Sequence, residues 1–473
     1  MKTLITVVFG LLMTICPAFS YPTNATLLWQ LPLNNSSLGF PAVGPDGTIY
    51  VMQNGYPAYT FSALHPDGST NWQITLTAVA PGGVNVPVVG SDGNLYVFAA
   101  VSSGNSDLYA LNLADGTTNW GFAGDTASQY SFCLIPALDT NGTVYFCTGS
   151  GTVDAVTNGV LEWSALSDAG LAYGEPVVGA DGTIYVFAND SPLQFYALNP
   201  DGSLKWSTNY PGAYFPQYPP ALAENGTIYF SGGPYFCAVN PADGSLEWEL
   251  PATNFLYQSF EYENPEVGPN GTIYIETYAY NTNFLFALTP NGTVEWIFPL
   301  PQNSGNSLAL HESSCAVAAD GEIYVTTSVG TVYSLAPDGT TNWSYQAGSS
   351  GLQAPVIGPD GTVYVSSCSA GNNILYAFYG PAPVACSAWP QFNKNSRHVT
   401  DVGTAYLRSP FMQTNGFQFN VAGTGNLPVC SCASSDLVNW TNIGHVVLTN
   451  GTASFVDTQA SNFPNRFYQA FPQ

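Results

Sequence analysis

Histidines are the first side chains to consider for acid–base or metal chemistry, and the chain has only four: His65, His311, His398 and His445. Only His311 is directly followed by an acidic residue, Glu312, with which it could form a general base or a metal site. The alternative is that both residues lie in a solvated loop. The sequence has no Gly-x-Ser-x-Gly elbow, no Cys-x-x-Cys-His haem motif and no paired Cys-x-x-Cys zinc motif. These residues therefore indicate no catalytic centre.

Aromatic rings interleaved with carboxylates form a second set of candidate residues. They fall in "DTASQYSF" (125–132), "LAYGEP" (171–176), "YPGAYFPQYPP" (210–220) and "NFLYQSFEYENPE" (254–266). Rings stack on apolar faces of a ligand, and carboxylates accept hydrogen bonds from hydroxyl or amide groups. The pattern predicts a binding site for a neutral glycan or a peptide; the alternative is that the rings pack on one another to order long loops. The predicted ligand-binding residues are Tyr130, Tyr173, Glu175, Tyr214, Tyr218, Tyr257, Tyr262 and Glu263.

Cysteines offer one candidate disulfide. Cys133 and Cys147 flank a predicted hairpin and could lie opposite each other, whereas buried free thiols are the alternative. Cys430 and Cys432 are two residues apart on a predicted strand, so they share a face, which does not favour a bond between them.

Charge limits the partners. The chain has 31 acidic and six basic residues, and Lys205 is the only cation between residues 21 and 390. Such a surface repels nucleic acid and anionic lipid, so neither is an expected partner.

The first 20 residues have the pattern of a secretory signal peptide. Lys2 precedes the apolar run "LITVVFGLLMTI" (4–15), and Ala18, Phe19 and Ser20 fit the small-x-small cleavage rule. Cys16 follows Ile15, which is too large for the usual lipid-attachment motif. No later run is long and apolar enough to span a bilayer. We therefore expect an exported protein, periplasmic or extracellular, without an integral membrane segment.

One phrase recurs eight times and sets the architecture. Its copies are "GPDGTIYV" (44–51), "GSDGNLYV" (90–97), "DTNGTVYF" (139–146), "GADGTIYV" (179–186), "AENGTIYF" (223–230), "GPNGTIYI" (268–275), "AADGEIYV" (318–325) and "GPDGTVYV" (358–365). In residues 175–207 the phrase lies among four short predicted strands, "PVVG", "TIYVFA", "LQFYALN" and "SLKW", joined by tight turns. Four antiparallel strands per repeat predict one blade of a β-propeller. The tyrosine in each copy is interpreted as a packing residue between blades.

Tryptophans mark the end of each repeat and predict how the ring closes. They are Trp29, Trp72, Trp120, Trp163, Trp206, Trp248, Trp296 and Trp343. Trp29 comes before the first, second and third predicted strands of the first repeat, so its own strand has no blade of its own. At the other end of the chain, residues 355–380 supply only three of the four strands that a blade needs. The segment 25–29 is therefore predicted to complete the last blade, which gives an all-β, eight-bladed propeller closed by its N-terminal strand. The predicted domains are a signal peptide (1–20), the propeller (21–400) and a small C-terminal module (401–473).

The C-terminal module is predicted to be β-rich and sandwich-like. "FQFNVAG", "LPVCSCASSDLVNWTNIG", "HVVLTNGTASFVD" and "NRFYQAF" read as short strands, with Trp440, Phe455 and Phe467 as the core. The stretch resembles small β-modules appended to exported bacterial proteins. That resemblance implies attachment or sorting, and a passive appendage is the alternative.

The phrases "FYALNPDGSLKW" (195–206) and "PVVGADGTIYV" (176–186) resemble the pyrroloquinoline-quinone-like propeller repeat. The segment "SAWPQFNKNSRHV" (387–399) resembles one that often follows the last blade. The family includes quinoprotein alcohol dehydrogenases and the periplasmic propeller of the outer-membrane assembly machinery. The dehydrogenases imply a tricarboxylate cofactor with cationic partners and a vicinal Cys-Cys disulfide. This chain has one cation between residues 21 and 390, and no two of its cysteines are adjacent. No cofactor is therefore expected.

The sequence favours an exported, non-catalytic binding or scaffolding propeller whose ligand is a neutral glycan or a peptide on the aromatic loops. A quinone-dependent oxidoreductase is one alternative, and an outer-membrane protein assembly partner is another. Oligomeric state is left open.

Overall fold

In the computed structural model, the protein is described at residues 24–33, 37–54, 58–77, 86–102, 105–123, 135–139, 141–148, 151–166, 175–188, 193–210, 219–223, 225–252, 264–277, 282–301, 315–348, 351–367, 373–382, 384, 406–413, 416–422, 428–434, 441–447, 452–457 and 467–472. Over these ranges the regular elements are β-strands. None of the described residues belongs to a helix long and apolar enough to cross a membrane.

Eight antiparallel sheets form the propeller, and each is one blade. The strands of blades 1 to 4 are β2 (Ser37–Leu38), β3 (Ala42–Val43), β4 (Ile49–Asn54), β5 (Ala58–Leu64) and β6 (Thr70–Thr77); β7 (Val88–Val89), β8 (Asn94–Ser102), β9 (Asn105–Asn112) and β10 (Thr118–Phe122); β11 (Ala137–Leu138), β12 (Val144–Cys147), β13 (Val153–Thr157) and β14 (Val160–Ala165); and β15 (Val177–Val178), β16 (Ile184–Ala188), β17 (Leu193–Leu198) and β18 (Leu204–Tyr210).

The remaining blades follow the same order. The strands of blades 5 to 8 are β19 (Ala221–Leu222), β20 (Ile228–Gly232), β21 (Tyr235–Val239) and β22 (Leu246–Pro251); β23 (Glu266–Val267), β24 (Ile273–Thr277), β25 (Thr282–Leu288) and β26 (Val294–Pro301); β27 (Cys315–Val317), β28 (Ile323–Thr326), β29 (Thr331–Leu335) and β30 (Thr341–Gln346); and β31 (Val356–Ile357), β32 (Val363–Ser366), β33 (Asn373–Phe378) and β1 (Leu27–Leu33).

The short strand that precedes the repeated phrase in each blade lies nearest the axis of the ring: β3, β7, β11, β15, β19, β23, β27 and β31. We call it strand A, and the strands that follow it outward are B, C and D. The A strands of neighbouring blades contact one another: β3 touches β7 on one side and β31 on the other, and β27 touches both β23 and β31. Contact between blades 8 and 1 closes the circle. The predicted eight-bladed propeller is confirmed.

Closure uses the strand predicted for it. β1 pairs antiparallel with β33, with Trp29 opposite Ala377 and Leu33 opposite Asn373. The last blade thus takes its D strand from the start of the chain, which leaves no unfilled position in the ring.

The tyrosines of the repeated phrase are packing residues, as predicted. All eight are buried, and each contacts the tryptophan on the D strand of its own blade at 5.7–6.0 Å between ring centroids. Most of these tryptophans also reach the next blade; Trp163 Nε1, for example, donates to the carbonyl of Pro200 at 2.9 Å. The aromatic pair therefore ties strands B and D together and links neighbouring blades.

The Asp-Gly turns all lie on one face of the ring, because the A–B and C–D connections leave the strands at the same end. In the first of them, Asp46 Oδ1 accepts from the backbone N–H of Thr48 at 3.0 Å, and Gly47 has a φ of 83° that favours glycine. We call this side the turn face. The opposite ends of the strands, from which the B–C connections and the links to the next A strand leave, define the other side, which we call the loop face.

Residues 406–472 contribute six further strands in two three-stranded antiparallel sheets. The first contains β34 (Tyr406–Gln413), β35 (Gly416–Ala422) and β38 (Thr452–Asp457), and the second contains β36 (Pro428–Ser434), β37 (Thr441–Val447) and β39 (Phe467–Pro472). Trp440, one of the predicted core residues, lies outside the described residues. The domain boundary at residue 400 and the sandwich-like packing stay predictions.

Candidate functional site

Most of the predicted ligand-binding residues lie outside the described residues: Tyr130, Tyr173, Tyr214, Tyr218, Tyr257, Tyr262 and Glu263. Glu175 is described. It lies two residues before β15 at the loop face and is only 8% exposed, although the sequence placed it in an exposed loop. The aromatic ligand site stays a prediction.

The candidate disulfide also involves a residue outside the described part of the chain, Cys133. Cys147 lies at the end of β12 as a buried free thiol. Burial raises the pKa of Cys147 above its ordinary value, and the nearby charges of Glu175 and Asp154 raise it further. The pairing with Cys133 stays a prediction.

The described residues contain a different set of polar side chains at the loop face. It is found by comparing equivalent positions in the eight blades. In each blade one A-strand residue pairs with the repeated tyrosine; in blade 6 it is Glu266, paired with Tyr274. The seven equivalent residues are all alanine or valine: Ala42, Val88, Ala137, Val177, Ala221, Ala316 and Val356. Glu266 is 1% exposed, so a carboxyl group occupies a buried position that the other repeats fill with a small apolar side chain.

Its partner in blade 7 departs from the repeat as well. Cys315 directly precedes the equivalent alanine of β27, at a position where the other seven blades have proline (Pro41, Pro87, Pro136, Pro176, Pro220, Pro265 and Pro355). The Cys315 thiol donates to Glu266 Oε2 at 3.4 Å across the interface between blades 6 and 7. The two exceptions to the repeat therefore touch each other.

Three more polar side chains of blade 6 lie on the same face of its sheet. Continuing the register in which Glu266 pairs with Tyr274 puts Asn264 opposite Glu276, and paired residues project to the same side. Asn283 lies on β25 two residues before Leu285, whose side chain packs with Cys315 and Val317 of blade 7. Asn264, Glu266, Glu276 and Asn283, with Cys315 of blade 7, form what we call the blade 6 cluster.

Burial in the blade 6 cluster is nearly complete. Asn264 and Glu276 are 3% and 2% exposed. Neither the amide nitrogen nor the amide oxygen of Asn264 has a hydrogen-bond partner among the protein atoms. A buried amide without partners costs about 1–3 kcal/mol of stability, so this position is not optimised for folding.

The electrostatics of the blade 6 cluster favour a protonated carboxyl group. Burial raises the pKa of Glu266 well above its ordinary value, Glu276 raises it further, and hydrogen bonds from the thiol and backbone N–H of Cys315 act in the opposite direction. Burial also raises the pKa of the Cys315 thiol, with Glu266 and Glu276 adding to the effect. The thiol therefore stays protonated and is a poor nucleophile.

Another buried acid, Glu322 in blade 7, shows what a satisfied structural carboxyl group looks like in this fold. Glu322 accepts hydrogen bonds from Tyr324 Oη at 2.8 Å, from Ser334 and from Asn342 Nδ2 at 3.2 Å. It lies at the turn face, within an A–B turn, far along the strands from the blade 6 cluster. Its hydrogen bonds account for its presence, so it carries no argument for a ligand.

No metal site emerges from the described parts of the chain, where no three or more His, Cys, Asp or Glu side chains are placed to hold an ion. A tricarboxylate quinone does not fit the residues present either. Lys205, the only cation between residues 21 and 390, lies on the D strand of blade 4 and pairs with Asp181 at 3.0 Å. Each uncompensated contact between like charges would cost about 4 kcal/mol near 4 Å at an effective dielectric constant of about 20.

Sequence reasoning missed the blade 6 cluster because Glu266 was assigned to the end of the aromatic segment 254–266. The structure makes it the first residue of β23 instead. Aligning "PEVG" (265–268) with "PAVG" (41–44) and "PVVG" (87–90) would have shown the exception. The orphan amide of Asn264 has no signal in the sequence, because it depends on which atoms surround the side chain.

Known proteins support the propeller assignment. The profile of the family described as "Outer membrane protein assembly factor BamB" matches residues 20–170, 132–267 and 281–380. No curated protein matches the sequence.

Solved structures with the same fold have low sequence identity to this chain. BamB from Moraxella catarrhalis is 15% identical with a TM-score of 0.53, covering 75% of this chain and 99% of its own. The quinohemoprotein alcohol dehydrogenase from Comamonas testosteroni is 15% identical with a TM-score of 0.53, covering 75% and 76%. A europium-containing methanol dehydrogenase is 13% identical with a TM-score of 0.55, covering 75% and 93%. At such identities the likeness concerns the fold alone, whereas the family profile spans most of the propeller, and on that ground the chain belongs to the family of the outer membrane protein assembly factor BamB.

Proposed function

We propose that the protein is an exported, non-catalytic propeller that binds its ligand on the loop face. The observation that carries the proposal is the contact between Glu266 and Cys315, two exceptions to an otherwise regular repeat that meet at this face. The ligand is a glycan or a peptide, and the aromatic segments that contain Tyr214 and Tyr262 supply further contacts. Export rests on the signal-peptide pattern of residues 1–20.

Binding explains the blade 6 cluster better than catalysis does. Cys315 is held as a thiol, and the cluster contains no histidine to activate it. Buried polar groups that are costly to the fold and are placed at a loop face are typical of a binding surface on a rigid scaffold.

A protein partner is the second candidate, and the family supports it. The family description names outer-membrane protein assembly, which requires contact with other proteins. A peptide ligand and an assembly partner would use the same loop face, so the two differ in the identity of the ligand rather than in the site.

The dehydrogenase alternative is disfavoured by charge. Two of the structures that share the fold are named as alcohol and methanol dehydrogenases. Between residues 21 and 390 the only cation that could pair with a quinone tricarboxylate is Lys205, on the outer edge of blade 4, where it is already paired with Asp181.

Two measurements test the proposed function. The purified protein is applied to glycan and peptide arrays, and selective capture of one class is the expected result. In parallel, its absorbance spectrum is recorded and its melting temperature is measured with and without added quinone and calcium. A coloured protein, or a rise of several degrees at micromolar quinone, would show that it is a quinoprotein; a protein that captures nothing on either array is not the binding propeller proposed.

A further inference from the structure

We propose that Asn158 is a site of spontaneous deamidation, a covalent modification that converts the side-chain amide of an asparagine to a carboxylate. The residue lies in the C–D turn of blade 3, between β13 and β14. That turn belongs to the turn face, so the modification is independent of the binding function proposed for the loop face and goes beyond it. The co-reactant is water, and ammonia is released.

The first step of the reaction takes place within the chain. The backbone nitrogen of the residue after the asparagine attacks the side-chain Cγ atom; a C–N bond forms, the proton of that nitrogen passes to the side-chain amide nitrogen, and ammonia leaves. Water then adds to one of the two carbonyl groups of the resulting cyclic imide and opens the ring, which gives aspartate or its β-linked isomer, isoaspartate. A glycine after the asparagine favours the attack, because it has no side chain to crowd the nitrogen.

Asn158 and Gly159 form the two-residue hairpin between β13 and β14. Thr157 pairs with Val160 across this hairpin, so the ladder hydrogen bonds join those two residues and the N–H of Gly159 lies outside the ladder. Asn158 is exposed, and its φ of 52° is the left-handed conformation that such a turn requires. The attacking nitrogen and the amide that it attacks are therefore adjacent in a tight turn that water can reach.

Four other Asn-Gly pairs among the described residues provide an internal comparison. They are Asn141-Gly142, Asn225-Gly226, Asn270-Gly271 and Asn291-Gly292. Each lies in a longer A–B or C–D turn, in which the glycine N–H donates to the backbone carbonyl three residues earlier at 2.9–3.3 Å. A nitrogen held in this way is directed at that carbonyl rather than at the side chain of the asparagine. The attack then requires that hydrogen bond to break first.

Three of these four asparagines are held through the side chain as well. Asn225 Oδ1 accepts a hydrogen bond from the backbone N–H two residues later at 3.0 Å, and Asn270 Oδ1 accepts the equivalent one at 3.1 Å. Asn291 Oδ1 accepts from the hydroxyl groups of Thr289 and Thr293. Both reacting groups are thus fixed in these turns, and the amide cannot rotate towards the glycine nitrogen without losing its hydrogen bond.

The modification would alter the contact between blades 2 and 3. A Cβ on Gly159 would meet the ring of Trp120, on the D strand of blade 2, at 3.3 Å, so the hairpin packs against that ring. Isoaspartate carries the side-chain methylene in the main chain and lengthens a turn that has only two residues. The lengthened turn cannot keep both its strand pairing and its contact with Trp120, so we expect a lower melting temperature after modification.

Peptide mass spectrometry on the protein without residues 1–20 tests the assignment. The protein is incubated in mildly alkaline buffer, either folded or unfolded in guanidinium chloride, and the deamidated fraction at each asparagine is followed over time. In the folded protein we expect Asn158 to react at least tenfold faster than each of Asn225, Asn270 and Asn291. In guanidinium chloride the four rates should agree within threefold, because the turns that protect the other three are lost. A ratio below tenfold in the folded protein, or one that persists in denaturant, would overturn the proposal.

Two variants locate the modification in the folded protein. Asn158→Gly removes the reacting amide and keeps a residue that adopts a positive φ, so it should not accumulate the acidic species that the parent forms during incubation. Asn225→Asp is the matched control: it removes a protected Asn-Gly pair, supplies the residue that blade 1 carries as Asp46, and should leave the rate of formation within twofold of the parent. Ion-exchange chromatography separates the species by charge. An acidic species that forms equally fast in Asn158→Gly would show that another site is modified, and would overturn the proposal.

Thermal unfolding tests the effect on the ring. The incubated parent should melt at a lower temperature than the fresh parent, whereas Asn158→Gly should melt at the same temperature before and after incubation. A parent in which Asn158 is modified but which melts like the fresh protein would overturn the effect assigned to the contact with Trp120.

Discussion

Trp29, near the start of the chain, packs against Tyr364 in the last blade with 6.0 Å between ring centroids. The Trp29 Nε1 atom also donates to the carbonyl of Pro66 in blade 1 at 2.8 Å. One side chain thus joins blade 8, which it completes, to blade 1, which follows it. A short N-terminal strand therefore makes contacts that close the ring.

Removing that strand should destabilise the whole ring. A chain that begins at residue 34 lacks β1, so it exposes the edge of β33 and the buried apolar cluster against which Leu31 and Leu33 pack. We expect a loss of several kcal/mol, since deleting even one large buried side chain costs about 2–5 kcal/mol. Thermal unfolding measures it, with a chain that begins at residue 24 as the control. Equal melting temperatures would show that β1 is dispensable.

Two of the eight repeated tryptophans, Trp163 and Trp120, allow a matched comparison. Trp163 Nε1 donates to Pro200, whereas Trp120 Nε1 is buried without a partner. The cause is local: the C–D turn facing Trp120 is a two-residue hairpin in which Asn158 and Gly159 have φ of 52° and 77°, so it has no equivalent of Pro200.

Substitution by phenylalanine should separate the two sites. Both changes trim the same ring, but only Trp163→Phe removes a hydrogen bond, so it should cost about 1 kcal/mol more than Trp120→Phe. Urea unfolding gives the free energies. A larger loss at Trp120 would contradict the role assigned to the indole N–H.

Two turn glycines with similar backbone geometry differ in their surroundings. Gly116 and Gly93 have φ of 74° and 86°, but a Cβ on Gly116 would meet the Trp72 ring at 2.7 Å, whereas a Cβ on Gly93 would meet nothing within 4 Å. Gly93→Ala should therefore cost only the left-handed backbone, about 1–2 kcal/mol. Gly116→Ala should cost about 1–3 kcal/mol beyond that. Equal losses in chemical denaturation would mean that the close contact with Trp72 is easily relieved.

The sequence predicts the scaffold well because the scaffold is repeated. The eight tyrosines and eight tryptophans recur at nearly constant spacing. That spacing predicts their common packing role, and it predicts that the strand around Trp29 completes the last blade. The tight turns, such as the one formed by Asp46 and Gly47, are also predictable, because their conformation depends on residues adjacent in the sequence.

The candidate site is less predictable because it depends on exceptions to the repeat and on contacts between blades. Glu266 and Cys315 are 49 residues apart in sequence and meet only when blades 6 and 7 pack together. Glu175 likewise follows a loop in the sequence, yet it is only 8% exposed in the fold.

Stability should depend on pH through Glu266. Its pKa is raised in the folded protein, so the folded state keeps a proton that the unfolded chain releases above the ordinary glutamate range. The contribution of this group is complete below the ordinary pKa and is lost as pH rises through the folded value. Glu266→Gln should therefore melt higher than the parent at alkaline pH and show little advantage near pH ~4.

Glu247→Gln controls for the general effect of one fewer negative charge. The turn aspartates act in the opposite sense: hydrogen bonds from Ser69 lower the pKa of Asp67, so that contribution is lost only at acid pH. A difference between Glu266→Gln and the parent that stays constant from acid to alkaline pH would contradict a buried, protonated Glu266.

The aromatic segments of the loop face carry the last prediction. Tyr214, Tyr218 and Tyr262 lie in connections whose length and composition the strands do not require. If their rings stack on a glycan or a peptide, each contributes about 1 kcal/mol, and replacing all three with alanine should weaken binding by about 3 kcal/mol, roughly a hundredfold. The melting temperature should stay close to that of the parent, because loop residues bury little of the core.

Tyr379→Ala is the control, since Tyr379 is an exposed ring at the turn face, away from the proposed site. The affinity of the ligand identified on the arrays is measured for each protein by calorimetry. A triple variant that binds like the parent, or that loses its fold, would mean that these rings pack within the protein and that the ligand binds elsewhere.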